Sequence, residues 1–295
     1  MLNALTIDVE DYFQVNAFAR HIAFAEWDSF PLRVEDNTHR VLGMLDEFGV
    51  KATFFVLGWI AERVPHLVRE IQAQGHEIAS HGYGHQLVYR IGPDAFRSDI
   101  RRAKQILEDV CGTEICGYRA PSYSITKQSL WAFDILLDEG YSFDSSVFPV
   151  YHDTYGIPDA PRFPYAVERD AGRLAEFPLT TYPVRCGSME YRLPIAGGGY
   201  LRLLPAELVR RGIARINDQE HQPAVLYFHP WEIDPGQPRI KAGLKSRFRH
   251  YLNLHRTEGK LRHLLGKLQF GTMTAAIAGS SNRPQRDAGL GAPRS

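Results

Sequence analysis

Short apolar runs alternate with segments of helical periodicity along most of this chain, and that alternation predicts a strand–helix repeat with parallel strands. Leu5 to Val9 reads as the first strand. From Val34 to Phe48 the residues Val41, Leu42, Leu45 and Phe48 share one helical face, and Lys51 to Leu57 follows the Gly49 break as a buried strand. The pattern then recurs. Ile60 to Gln74 is predicted as a helix closed by Gly75, His76 to Ser80 as a strand, Pro93 to Val110 as a helix and Ile115 to Tyr118 as a short strand. Thr126 to Glu139 is predicted as a helix capped by Thr126, and Pro205 to Asn217 as another. Further strands are expected at Tyr141 to Asp144, Ala175 to Leu179 and Ala224 to Phe228.

Two stretches break the rhythm. Phe148 to Asp170, rich in Pro, Tyr and Asp, predicts a long loop over one end of the sheet, where functional loops usually lie. Residues 274–295 are polar and contain Gly and Pro, which predicts a disordered tail.

Composition narrows the class. The chain of 295 residues carries 34 Lys+Arg against 34 Asp+Glu, so no global field draws it to nucleic acid. Its three cysteines form no CxxC pair, which argues against both a disulfide framework and a cysteine zinc site. A strand follows the first residues at once and no run of about 18 apolar residues occurs, so the expected location is the cytoplasm.

Candidate chemistry gathers at predicted strand ends. TIDVEDYF puts Asp8, Glu10 and Asp11 at the end of the first strand, where ionised groups are costly to bury without partners. ASHGYGH places His81 and His85 four residues apart around Gly82 and Gly84, a spacing that lets two imidazoles reach one cation. Two histidines and a carboxylate leave positions open for water and substrate, the composition of a catalytic rather than a structural metal site. In YRAPSYS, Arg119 follows a short strand and its guanidinium can hold a carboxylate; in VLYFHPWE, His229 follows a wholly apolar strand. Taken singly, each has an ordinary alternative as a solvated or satisfied core residue. GGGY at Gly197 to Tyr200 lacks the Lys-Ser/Thr of a phosphate loop and predicts a tight loop at the mouth of the site.

Together these stretches, in this order, resemble the NodB-like polysaccharide deacetylases of carbohydrate esterase family 4, over roughly Leu5 to Glu232. The wording TIDVEDYFQV, FFVLGWIAERVPHLVREI, GYRAPSYSIT and YFHPWEID is most similar to a cytoplasmic branch associated with exopolysaccharide and exosortase (PEP-CTERM) loci, which carries an extra C-terminal segment. The resemblance implies an α/β fold, a distorted (β/α) barrel of about seven strands. It also implies a deacetylase domain over 1–239 and a helical extension over 240–273 packed on the barrel. Asp8 becomes the general base, Arg119 its orienting partner, His229 the general acid, and His81 and His85 ligands of a divalent metal, zinc first among them.

The third ligand is less direct, because D-V-E-D stands where many members have adjacent acids. Glu10 is preferred since it shares a strand face with Asp8, and Asp11 is the alternative. The partner that tunes His229 is not identified; Asp144 in FDSS is a weak candidate. Tyr123 and Trp231 are expected to contact the sugar, with Tyr12, Phe13 and Tyr83 as further aromatics near the strand ends, and backbone N–H groups near Ser122 and Tyr123 to hold an oxyanion.

The implied reaction is removal of N-acetyl groups from hexosamines of an exopolysaccharide or its lipid-linked precursor. An allantoinase-like amidohydrolase acting on a small cyclic amide and a non-catalytic glycan-binding scaffold are the alternatives. Leu244 to Leu268 interleaves leucines with Lys and Arg, which predicts two helices broken near Gly259, docked on the barrel or weakly attached to an anionic membrane.

Overall fold

The structure, a computed structural model, describes residues 1–187, 189–195 and 197–278. The chain runs β1 (Leu2–Val9), α1 (Val34–Glu47), β2 (Thr53–Val56), α2 (Gly58–Arg63), α3 (Pro65–Ala73), β3 (Glu77–Ser80), α4 (Val88–Cys111), β4 (Gly117–Tyr118), α5 (Ala132–Asp138) and β5 (Phe143–Asp144). It continues through β6 (Tyr165–Arg169), β7 (Gly172–Glu176), β8 (Thr181–Cys186), β9 (Met189–Pro194), α6 (Gly198–Leu203), α7 (Ala206–Arg215) and β10 (Val225–Phe228). The last elements are α8 (Leu244–Tyr251), α9 (Leu254–Leu265), β11 (Gln269–Gly271) and α10 (Met273–Ala278).

Several differences from the sequence reading have local causes. The helix expected over Ile60–Gln74 is two, because Pro65 opens the second and pushes Val64 out of the helical region. The helix expected from Thr126 starts at Ala132; Ser129 Oγ accepts the Thr126 N–H at 3.0 Å and holds a turn there. The expected loop ends early, since Tyr165–Arg169 pairs antiparallel with β7. The β8–β9 hairpin was not anticipated: Val184, Tyr191 and Leu193 are exposed, so apolar alternation does not mark a buried face. Helices α8 and α9 part at Leu252 and Asn253, where Asn253 takes a left-handed φ of 55°; Gly259 lies inside α9. Of the expected tail, residues 274–278 belong to α10 and the rest lies outside the described residues.

The main sheet has the order β10-β1-β2-β3-β4-β5-β7-β6, with β11 also paired to β1. From β10 to β7 its seven strands are parallel, the number expected for the barrel, and β6 is the antiparallel edge. The ladder does not join β6 to β10. Across that seam Thr180 Oγ1 accepts the Val225 N–H at 2.6 Å, and Gly197 forms an isolated bridge to Tyr227.

Two apolar clusters follow from alternation on curled strands. The larger lies between the strands and the helices. The smaller fills the barrel: Ala4, Phe55, Ala79, Phe143, Phe177, Val225 and Tyr227 meet there, with Met273 and Ala276 of α10 packed against them. Gly117 is glycine for this reason, since a Cβ would lie 2.1 Å from the Phe143 ring. The Met273 N–H donates to Thr53 Oγ1 at 2.7 Å, so α10 sits at the N-terminal ends of the strands. Functional side chains are left to the opposite end. No helix among the described residues is long and apolar enough to cross a membrane.

Candidate active site

The C-terminal ends of β1, β3, β4 and β10 bring Asp8, Glu10, His81, His85, Arg119 and His229 together. Asp8 is the last inward residue of β1. Arg119, wholly buried, donates from one guanidinium nitrogen to Asp8 Oδ1 at 2.7 Å and to Thr6 Oγ1 at 2.8 Å, and from the others to the Ser145 carbonyl and hydroxyl. Its guanidinium carbon also stacks 4.1 Å from the Phe55 ring centroid. Every arm of the fork is engaged, which fixes the Asp8 carboxylate in position.

His81 and His85 flank a loop fastened to α4. Asp99 accepts the N–H groups of Tyr83 and Gly84 at 2.8 and 3.1 Å, while Gly82 has φ of 73° and His85 φ of 50°. A Cβ on Gly82 would lie 2.6 Å from Asp99 Oδ2, so the turn requires glycine both for its dihedral and for space. His81 Nδ1 lies 2.8 Å from the Arg119 carbonyl and donates to it, which turns Nε2 outward as a lone pair.

Glu10, His81 and His85 each offer one ligand atom, all within 4.8 Å of one another. Glu10 Oε2 is buried, accepts no hydrogen bond, and stands 2.7 Å from His85 Nε2. An orphaned buried carboxylate oxygen beside two imidazole nitrogens is a donor set that fits a divalent cation, with zinc compatible by ligand type. Asp11 points elsewhere. Its Oδ1 accepts the Tyr12 N–H and its Oδ2 the Arg33 and Val34 N–H groups at 2.7 and 2.9 Å, so it satisfies donors at the start of α1.

His229 stands on the far side of the carboxylates, its Nε2 3.4 Å from Glu10 Oε1 and 3.8 Å from Asp8 Oδ2. Its Nδ1 meets Glu232 Oε1 at 3.1 Å. Pro230 opens a 3-10 turn in which side chains three apart eclipse, and that places Glu232 beneath the imidazole. Asp144 takes no part at His229: its oxygens bond the Ser146 hydroxyl and N–H and the Glu176 carboxyl. Trp231 stacks on His229 and on His250 of α8, with ring centroids 5.2 and 4.2 Å away. Its indole N–H donates to Glu10 Oε1 at 3.2 Å.

The charges are uneven. Burial would raise the Glu10 carboxyl, but the facing His85, His229 and His81 outweigh it and hold it well below the usual range. Burial pushes His81 down to about 4, with Asp8 and Glu10 opposing, so it is neutral and ready to ligate. Burial would also lower His229, yet Glu10, Glu232 and Asp8 carry it up to about 9. Asp11 rises to about 6 through burial, restrained by its backbone donors.

Asp8, Glu10, His81, His85, His229 and Glu232 line a pocket of about 600 Å³. Tyr123 and Trp231 both line it, Trp231 with only 4% of its surface exposed. Tyr12, Phe13 and Tyr83 are buried and do not line the pocket; Phe13 packs on Trp27, Phe30 and Trp59. The Tyr123 N–H is spent on the Ala120 carbonyl at 3.0 Å, which removes it as an oxyanion donor and leaves Ser122 of that pair. The GGGY run lies at the mouth as expected but begins α6 rather than forming a loop, because Gly197 and Gly198 pass under the Tyr227 ring, where a Cβ would clash.

Sequence reasoning missed Glu232, Asp99 and Arg202. The H-P-W-E spacing carries the signal for Glu232. Arg202 Nε lies 3.5 Å from Glu232 Oε1 while one of its terminal nitrogens donates to the carbonyls of Arg249, His250 and Leu252, and nothing in the local sequence announces those partners.

Residues 18–135 match the family model described as polysaccharide deacetylase. This part of the chain is similar to that family. Residues 145–278 match a second model, described as a domain of unknown function (DUF3473), so the polysaccharide deacetylase stretch supplies His81, His85 and Arg119 while His229 and Glu232 come from the second. A peptidoglycan-N-acetylglucosamine deacetylase of Bacillus cereus is 35% identical over 96 residues, 32% of this chain and 35% of that protein. A chitooligosaccharide deacetylase of Bradyrhizobium is 30% identical over 99 residues, 34% of this chain and 43% of that protein. The chain thus spans well under half the length of these curated relatives. A crystal structure from Mycobacterium smegmatis, named as a candidate polysaccharide deacetylase, superposes over 96% of this chain and 91% of its own with a TM-score of 0.63 at 23% identity, which establishes the shared fold.

Proposed function

We propose that the protein is a metal-dependent N-deacetylase that releases acetate from N-acetylated hexosamines of an exopolysaccharide or its lipid-linked precursor. The observation that carries this reading is the convergence of Glu10, His81 and His85 between the Asp8–Arg119 pair and the His229–Glu232 pair.

Glu10, His81 and His85 would hold a divalent cation, zinc by donor type, whose chemistry when bound is to polarise an amide carbonyl and to acidify a water. Asp8, its carboxylate kept in register by Arg119, would accept a proton from an attacking water. His229 donates a proton to the departing amine, and Glu232 at Nδ1 keeps the donating nitrogen directed at the pocket. An amine leaves poorly as its anion, so the reaction needs this acid. Trp231, bonded to Glu10 and stacked on His229, fixes the spacing between ligand and acid.

Peripheral attachment to an anionic membrane is the finer part of the reading. It is supported by α8, on which Leu244 is 83% and Phe248 65% exposed beside Lys241 and Arg247. By contrast α9 is docked, with Leu254, Leu261, Leu264 and Leu265 buried, and its Lys260 and Arg262 are bound to α6 carbonyls and to Glu47 and Glu258.

Acetate release from N-acetylated oligosaccharides of graded length, measured with the metal content of the purified protein, tests the proposal. Stoichiometric metal without acetate from any oligomer, or hydrolysis confined to small cyclic amides, would overturn it.

A further inference from the structure

The pocket has two ends of opposite character. Its floor carries Asp8, Glu10 and Glu232. At its mouth stand Lys245 and Arg249 of α8, both exposed and, among the described residues, in no ion pair. They share the lining with His152, stacked on Tyr155 with centroids 3.8 Å apart, whose imidazole pKa is lowered by burial first and then by Arg249 and Lys245 against Asp153.

The pair is poorly placed for the helix that bears it. Residues four apart lie on one face, so two like charges there repel one another. Lys245 also occupies the first turn, which contains no acid, at the end of the helix that disfavours cations. Arg249, in the last turn, stands at the end that favours a cation, but Lys245 does not, and the two unpaired charges face one opening above the carboxylates of the floor.

The wall is rigidly built. Arg202 of α6 donates to the carbonyls of Arg249, His250 and Leu252, and Asn253 and Lys260 donate back to carbonyls at the end of α6. The α8 backbone that carries the two cations is therefore fixed at the rim of the pocket.

We infer that Lys245 and Arg249 read an anionic group carried by the substrate beside its acetamido sugar. The carboxylates of the floor repel an anion at the reacting end, so the group recognised lies away from it, at the mouth. A uronate carboxylate and a sugar-linked phosphate or diphosphate share this chemistry. The inference rests on the deacetylase reading for the reacting end only.

The test is calorimetric binding to the full chain of three probes: a neutral N-acetylated oligosaccharide, one of equal length containing a uronate, and an N-acetylhexosamine 1-diphosphate. At low salt at least one anionic probe binds tenfold or more tightly than the neutral one, and which one identifies the anion. In a Lys245→Gln, Arg249→Gln double variant that preference falls to near unity, and each single variant lowers it, while Arg247→Gln, the loss of one charge on the same helix outside the pocket, leaves it in place. No preference for either anion, an unchanged preference in the double variant, an equal loss with Arg247→Gln, or affinity for anionic vesicles without preference among the soluble probes would each overturn the inference. Acetate release from the neutral oligosaccharide is scored separately, so failure of the deacetylase reading is distinguishable from failure of anion recognition.

Discussion

The Asp8 carboxylate and the Arg119 guanidinium meet at 2.7 Å inside the barrel, one 3% and the other 0% exposed at the side chain. Removing the cation leaves Asp8 buried and uncompensated, at a cost of about 3–5 kcal/mol. Arg119→Lys keeps the charge but cannot reach Thr6, Asp8 and Ser145 at once. We expect the variant to lose several degrees of thermal stability and at least about a hundredfold in kcat. A variant with wild-type kcat would show that Asp8 needs no such holder.

Exchanging the two neighbouring acids separates binding from capping. Glu10→Gln, like His81→Ala and His85→Ala, should lose stoichiometric metal while far-ultraviolet circular dichroism stays native. Asp11→Asn should keep its metal and lose about 1–2 kcal/mol in denaturant unfolding, because it weakens acceptance from Arg33 and Val34. The opposite pattern would transfer the ligand role to Asp11.

Asp99 touches no ligand atom, yet it anchors the turn that spaces the two histidines. Asp99→Ala should weaken metal affinity by about 10–100-fold without unfolding the protein. Metal titration monitored by a competing chelator reads this directly, and unchanged affinity would make the contact merely structural.

Asp144 and Glu176 form a buried carboxyl pair, both raised, chiefly by burial, above their ordinary values of 3.8 and 4.5. The folded state therefore keeps protons that the unfolded chain has already released. Stability accordingly falls as pH rises above the unfolded values towards the folded ones. Glu176→Gln imitates the protonated acid: its carbonyl can accept the Val147 N–H and its amide can donate to Asp144. Equilibrium unfolding should show the variant more stable than wild type at about pH 8 and nearly equal at about pH 4. Parallel pH profiles would contradict the pairing.

Weak membrane attachment predicts cosedimentation with anionic vesicles at low salt, lost at high salt. Reversing Arg247, Arg249 and Arg256 to Glu should abolish it, and equal recovery with neutral vesicles would leave α8 without a membrane role.

Wherever burial and periodicity coincide, the sequence was sufficient. Ile7, Phe54, Phe55 and Phe228 lie in buried strands and were read as such. Asp8, His81, Arg119 and His229 are legible because each lies at or just after the end of such a strand, and His85 because of its four-residue spacing from His81. The β8–β9 hairpin escaped because its apolar residues face outward, and the split between α8 and α9 because Asn253 supplies the left-handed turn that a glycine was expected to provide. Strand alternation favours Glu10 over Asp11 without excluding Asp11, whose engagement depends on α1 beginning where its orphan N–H groups meet it. Arg202 and Asp99 act on partners brought close only by the folded chain.

The central strand β1 takes its neighbours from both ends of the polypeptide: β2 follows soon after, whereas β10 and β11 come near the finish. The indole bond from Trp231 to Glu10 spans 221 residues. On a ribosome, then, β1 is made before the other strands of its sheet and waits longest for its partners. Until residues 225–228 emerge, one edge of β1 lies open to pairing with other chains, and the acids of its far end have no imidazole opposite them. A nascent or truncated chain lacking that late strand is an aggregation hazard, and completion of the candidate site coincides with completion of the parallel sheet.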